Sequence, residues 1–244
     1  MSGGPAVVLE HVSKSFGEKP ILQDVSFHVH AGEALCILGR SGTGKSVTLK
    51  LIISLIKPEQ GQIWIEEEEI TRLHASDLSR VRRKMGFLFQ GAALFDSLTL
   101  YENLALPLLR LTSKSPAQVE VAIDRVLREV GLSGDKQKMP SELSGGMRKR
   151  AGLARALVLE PRILLVDEPS SGLDRITAAE IDELLLREKA ERRTTLIVVT
   201  HDVRGAKRIA DRIAVLNQGR LIADGTVEEV QSSENEIARN LMSE

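Results

Sequence analysis

Apolar and polar positions fall into three regimes along the chain. The first 65 residues read mostly as strands at 6–12, 21–29, 34–38 and 62–65, punctuated by Gly17, Gly32 and Gly61. A helix over residues 46–56 interrupts them. From residue 72 to 156 the pattern turns helical, apart from the strand-like stretch 85–89. Ser115-Pro116 supplies an N-cap and a first helical residue ahead of Val119, Ile123, Val126, Leu127 and Val130, a helical face stopped at Gly131. A further helix is predicted over 148–159. In the third regime the runs 163–166 and 196–199 are continuously apolar, as expected of parallel strands covered on both faces, with an amphipathic helix over 177–189 between them. That is a βαβ unit. Asp224-Gly225-Thr226 turns into a helix whose Thr226 and Glu229 form a capping-box pattern. No repeat or low-complexity tract appears, and residues 231–244 read as a frayed surface helix rather than a clasp on a neighbouring chain.

Length and composition narrow this outline to an α/β domain with an insert. The chain has 244 residues, 42% hydrophobic and 27% charged, an ordinary globular balance with ample material for a core. Thirty-three basic against 34 acidic residues give a net charge of -1, so the basic excess that nucleic-acid binding needs is missing and no nucleic-acid partner is expected. Cys36 is alone in the apolar run 34–38 and is expected to be a buried, reduced thiol, which favours a cytosolic setting. The apolar segments are too short to span a bilayer, and residues 1–10 lack the basic head of a signal peptide.

The decisive segment is Gly39-Arg40-Ser41-Gly42-Thr43-Gly44-Lys45-Ser46, placed after an apolar strand and opening a helix. This is the setting a phosphate-binding loop requires: glycines turn backbone N–H groups inward, the helix N-terminus adds positive potential, Lys45 adds a point charge and Ser46 offers a hydroxyl to Mg²⁺. Ile163 to Val166 run into Asp167-Glu168. Adjacent strand residues point to opposite faces, so both acids reach one site only if the chain turns there. Asp167 is assigned to Mg²⁺ and Glu168 to polarising the attacking water. The strand 196–199 ends in Thr200-His201, which brings His201 to the same sheet edge as a γ-phosphate sensor; a histidine after a strand also serves as a simple cap. Gln90, after its own strand-like run, offers a neutral amide to both metal and water. Ser144, Gly145 and Gly146 precede the helix at 148–159 and form either a second anion-binding helix end or an ordinary flexible N-cap.

In this order the loop 39–46, Gln90, Leu143-Ser144-Gly145-Gly146-Met147, the strand ending in Asp167-Glu168, Ser171-Gly172-Leu173-Asp174 and His201 resemble the ATP-binding cassette (ABC) ATPases over nearly the whole chain. The resemblance implies an α/β P-loop NTPase fold with ABC ATPase architecture: a parallel-sheet core, an N-terminal antiparallel β subdomain, and a helical subdomain at about 91–160 inserted in a single domain of residues 1–244. It implies a homodimeric sandwich holding two ATP, with Ser144 to Gly146 acting on the partner's nucleotide. It also implies that Phe16 stacks on adenine, although Phe16 reads equally as a core aromatic, and that Val47 belongs to the nucleotide site. Ser46-Val47-Thr48, residues 89–99 and Ser144-Gly145-Gly146-Met147-Arg148-Lys149-Arg150 resemble one branch, the ATPases of Mla-type phospholipid transporters. That branch implies a polytopic permease, an MCE-domain lipid-binding partner and a peripheral place on the cytoplasmic face of the inner membrane. Met147 departs from the Gln common across the family but matches the branch, and Ser170 and Arg175 stand where Thr and Pro are frequent. Other cargoes (a solvent, a steroid, a small polar solute), a non-transport ABC protein and a nucleotide-gated module without turnover are the alternatives.

Two features receive less specific readings. The apolar stretch 87–109 is expected to be mainly core, a minority lining a groove that, by the resemblance, takes a helix of the permease. The cluster Arg148-Lys149-Arg150 is expected to be a solvated helix face.

Overall fold

A computed structural model describes residues 4–243. An antiparallel hairpin of β1 (Pro5–Phe16) and β2 (Lys19–His30) leads into β3 (Ala34–Leu38), α1 (Lys45–Ile52), β4 (Gln60–Ile65) and the short β5 (Glu68–Glu69). After α2 (Ala75–Arg82) and β6 (Met85–Leu88) come α3 (Leu100–Leu111), α4 (Pro116–Glu129) and α5 (Gly145–Leu157). The chain returns through β7 (Ile163–Asp167), α6 (Arg175–Arg192), β8 (Thr195–Thr200) and α7 (Val203–Ile209). It closes with β9 (Arg212–Asn217), β10 (Arg220–Gly225), α8 (Val227–Gln231) and α9 (Glu236–Met242).

Two sheets organise these elements. The first has the order β2-β1-β4-β5 and is antiparallel; the second has the order β10-β9-β3-β8-β7-β6, in which all neighbours from β9 to β6 are parallel and β10 is antiparallel. The alternation of strand side chains divides the interior in two. Ala34, Cys36 and Leu38 of β3 face a core built with α3 to α7, whereas Leu35 and Ile37 face α1 and the antiparallel sheet. Burial on both sides explains why β3, β7 and β8 read as unbroken apolar runs. It also pushes the Cys36 thiol pKa far up, away from thiolate chemistry.

Boundaries differ from the sequence reading where local caps intervene. The first helix stops at Ile52 rather than at 56, because Ser54 takes φ 56° and Leu55 N–H turns back to Lys50 O at 2.8 Å. The helix expected at 148–159 begins at Gly145, since the Ser144 hydroxyl accepts from Met147 N–H at 3.2 Å and draws both glycines into the first turn. The C-terminal segment is not frayed: Ala238 and Met242 of α9 are buried, and Lys207 Nζ donates to Met242 O at 2.7 Å.

Candidate functional site

β3 and β7 are separated only by β8 and end at one edge of the sheet, which brings the loop 39–46 next to Asp167. At the loop's last glycine the backbone takes a left-handed φ of 107°, and a Cβ at Gly44 would lie 2.6 Å from Leu22 Cδ2 and 2.9 Å from Ile21 O. Only glycine fits there. The following Lys45 folds back into the loop, its ammonium donating to Gly39 O at 2.8 Å and to Arg40 O at 3.2 Å. Two carbonyls thus occupy the cation where an anion is to be gripped, acceptors that phosphate oxygens replace readily. Ser46 donates to Asp167 Oδ1 at 2.8 Å. Burial pushes the Asp167 carboxyl pKa up against the lowering effect of that bond. Ser46 and Asp167 form an oxygen-only pair suited to a small hard cation such as Mg²⁺, which takes few protein ligands and completes its shell with phosphate and water.

The turn that both acids need is present. Glu168 takes φ 49°, a left-handed step that costs roughly 1 kcal/mol and cancels the strand alternation. Its N–H donates to Val199 O at 2.9 Å. Its Oε1 lies 3.4 Å from Lys45 Nζ, both side chains being buried, and its Oε2 lies 2.8 Å from His201 Nδ1. Thr200 Oγ1 and His201 N–H each donate to Oε2 at 3.3 Å. The His201 ring is open to solvent on its other side.

The remaining site residues are placed unevenly. Gln90 follows β6, the edge neighbour of β7, and is exposed at the same sheet edge, with no hydrogen bond to Ser46, Asp167 or Glu168 among the described residues. Arg40, Ser41 and Gly42 are exposed, Thr43 is buried and donates to Arg40 O at 2.9 Å, and Val47 is half-buried on α1. Phe16 is not core: it is 53% exposed at the end of β1, with Lys14 Nζ 5.4 Å from its ring centre. It belongs to the hairpin whose Ile21 and Leu22 abut Gly44. Ser144 and Gly145 are exposed, and no hydrogen bond joins them or Gly146 to the loop 39–46 among the described residues. Gly146 lies against α6, where a Cβ would come 2.5 Å from Thr177 Cγ2. Asp174 caps α6 through Ile176 and Thr177 N–H and the Thr177 hydroxyl at 2.7 Å, bonds that hold its carboxyl pKa below the usual range.

One expectation is overturned. Lys149 is not on a solvated face: it is buried, and its ammonium donates to the backbone carbonyl of Glu168 at 2.7 Å. Desolvation lowers its pKa against the opposing pull of Asp167 and Glu168. The helical period carried the signal, since Lys149 shares a face with Leu153 and Leu157. Thr200 also joins the site, through a contact to Glu168 that depends on β7 and β8 being neighbours and that no local sequence pattern signals.

In the apolar stretch 87–109, Leu100, Leu104 and Leu108 are core, while Phe95 is half exposed. Phe87, Phe95, Leu106, Pro107 and Leu159 line a groove of about 400 Å³ with Arg110 at its margin.

The profile of the family described as ABC transporter matches residues 22–171. The probable ribonucleotide transport ATP-binding protein mkl of Mycobacterium leprae is 42% identical over 242 residues, 99% of this chain and 70% of that protein. Methionine import ATP-binding protein MetN 1 of Bacillus cereus is 40% identical over 228 residues, 92% of this chain and 66% of that protein. A solved dimeric structure of a post-hydrolysis state of the ATP-binding cassette MJ0796, bound to ADP and Pi, aligns with a TM-score of 0.84 and 34% identity over 90% of this chain and 98% of that one.

Proposed function

Because the chain belongs to the ABC transporter family, with the ABC ATPase fold and ATP hydrolysis as its activity, we propose that it energises phospholipid transport as a homodimer. Its partners in this reading are polytopic permease subunits and an MCE-type lipid-binding protein, at the cytoplasmic face of the inner membrane. No helix among the described residues is long and apolar enough to cross a membrane, and in this reading the permease subunits supply the pathway.

Each copy binds one ATP in its loop 39–46, with Phe16 against the adenine and Lys45 exchanging its two carbonyls for phosphate oxygens. Ser46 and Asp167, aided by Gln90, would hold Mg²⁺, which would offset the charge of the triphosphate. Glu168 accepts a proton from the attacking water, and His201 reports the γ-phosphate to the carboxylate it touches. Ser144, Gly145 and Gly146 of the second copy close the site with a hydroxyl and free N–H groups at a helix end. The groove beside Phe95 and Leu106 receives a short permease helix next to Gln90, so closure and opening of the dimer move the paired membrane subunits.

The observation that carries the chemistry is the Glu168 carboxylate held between Lys45 at 3.4 Å and His201 at 2.8 Å, beside the Ser46–Asp167 pair. Glu168→Gln is expected to lower kcat about 100-fold or more while ATP binding persists, with a dimer accumulating in ATP on gel filtration. Undiminished hydrolysis refutes the base assignment. The cargo rests on the resemblance of residues 46–48, 89–99 and 144–150 to the Mla-type branch. The relatives' names, ribonucleotide transport and methionine import, favour a second reading with a small polar solute. Purifying the chain with its permease decides between them: bound phospholipid, with turnover indifferent to ribonucleotides and methionine, supports the first; stimulation by either solute supports the second.

A further inference from the structure

One helix touches each part of the machinery. α5 presents Ser144 to Gly146 at its start, packs Gly152 so closely that a Cβ would lie 2.8 Å from Ala92 Cβ, and ends beside the groove with Ala156. In its second turn Lys149 reaches the carbonyl of Glu168 at 2.7 Å. We propose that Lys149 is a positioning residue that fixes Glu168 of its own ATP site according to how α5 engages the nucleotide of the partner's site, so that it links the two sites of the dimer.

Three observations support the link. First, Glu168 is held in a left-handed conformation that a non-glycine residue adopts only where its surroundings fix it. Val199 O holds its N–H, and Lys149 holds its carbonyl, so the peptide after Glu168 is oriented by α5. Second, Lys149 follows Ser144 by five positions, a rise of about 7.5 Å along the helix, short enough to move as one piece. A shift imposed at Ser144 to Gly146 therefore arrives at Glu168. Third, the Lys149 ammonium is buried, and among the described residues its hydrogen bond goes to the carbonyl of Glu168 and to no other group. The nearby carboxylates of Asp167 and Glu168 offset the charge, which ties the lysine to the site itself.

The inference rests on the reading that two copies share their ATP, and mixed dimers of the full chain test both. In one dimer a single chain carries Lys149→Met together with Glu168→Gln; in the other the two substitutions sit on opposite chains. In the first, the remaining active Glu168 keeps its own Lys149; in the second it has lost it. Turnover in the second arrangement is expected to be about 10-fold lower than in the first. Equal turnover overturns the inference, because a general folding defect would depress both alike. Lys149→Gln, which keeps a donor, is expected to keep turnover within about 3-fold of the parent chain; a folded Gln variant about 10-fold or more impaired overturns the inference even if the Met variant does not fold. If Glu168→Gln forms no dimer in ATP, the shared-site reading falls and the inference with it.

Discussion

The chain has two helix N-termini that offer themselves to anions, and they are built in opposite ways. At α1 the loop is closed on itself: Lys45 is buried against the carbonyls of Gly39 and Arg40, Ser46 is bonded to Asp167, and Gly44 is boxed in by Ile21, Leu22 and Leu216. At α5 the end is open: Ser144 caps the helix, Gly145 is exposed, and the nearest neighbour of Gly146 is Thr177 on α6 rather than any part of the loop 39–46. A complete anion site needs charge, donors and a wall. The first end has all three within one chain; the second has the donors alone. Their difference supports the proposal that two copies share each nucleotide.

Breaking the closed end should give the larger effect. Lys45→Ala removes the cation and leaves Glu168 buried without its 3.4 Å partner, so nucleotide affinity in an equilibrium binding assay is expected to fall about 100-fold, with turnover lost. Unchanged affinity would contradict the whole account of the loop.

Damage to the open end should spare binding by one chain and injure turnover. Gly146→Ala places a methyl group 2.5 Å from Thr177 Cγ2, and Thr177 is pinned by its bond to Asp174. Turnover should drop about 10-fold while the affinity of the separate chain for ATP stays constant. Adding Thr177→Ser removes Cγ2 but keeps the hydroxyl, and should restore most of the loss; failure to do so would show that the clash is not the cause.

The smallest effect lies on α6, the helix whose Thr177 faces Gly146. Asp182 on α6 is buried, and burial, with Asp202 and Glu183 adding to it and Arg208 at 3.9 Å opposing it, raises its pKa to about 6. Between its ordinary value of 3.8 and about 6 the folded chain holds a proton that the unfolded chain has released, so stability falls as pH rises through that window and levels off above it. Asp182→Asn should therefore raise Tm at pH 7.5 by about 2–4 °C, for a gain on the order of 1 kcal/mol, and lose that advantage near pH 4. Thermal melts at both pH values check this, and a variant less stable at pH 7.5 would show that the Arg208 pair outweighs burial.

Much of this was legible in the sequence because it is local. The unbroken apolar run 34–38, the glycines of the loop that follows it and the Ser115-Pro116 cap each depend on neighbours within a few residues, and the structure puts β3 at Ala34–Leu38 and α4 at Pro116–Glu129. What tertiary structure decided concerns contacts across long stretches of chain. The convergence of Asp167 and Glu168 needed a left-handed residue that strand periodicity argues against, stabilised by Val199 on a neighbouring strand. Lys149 reads as one of three surface charges until α5 lies against the end of β7, and α9 reads as loose until Ala238 and Met242 find their core. Sequence patterns report the free energy of short segments; a buried charge or a docked terminus draws its energy from partners that only the folded topology brings near.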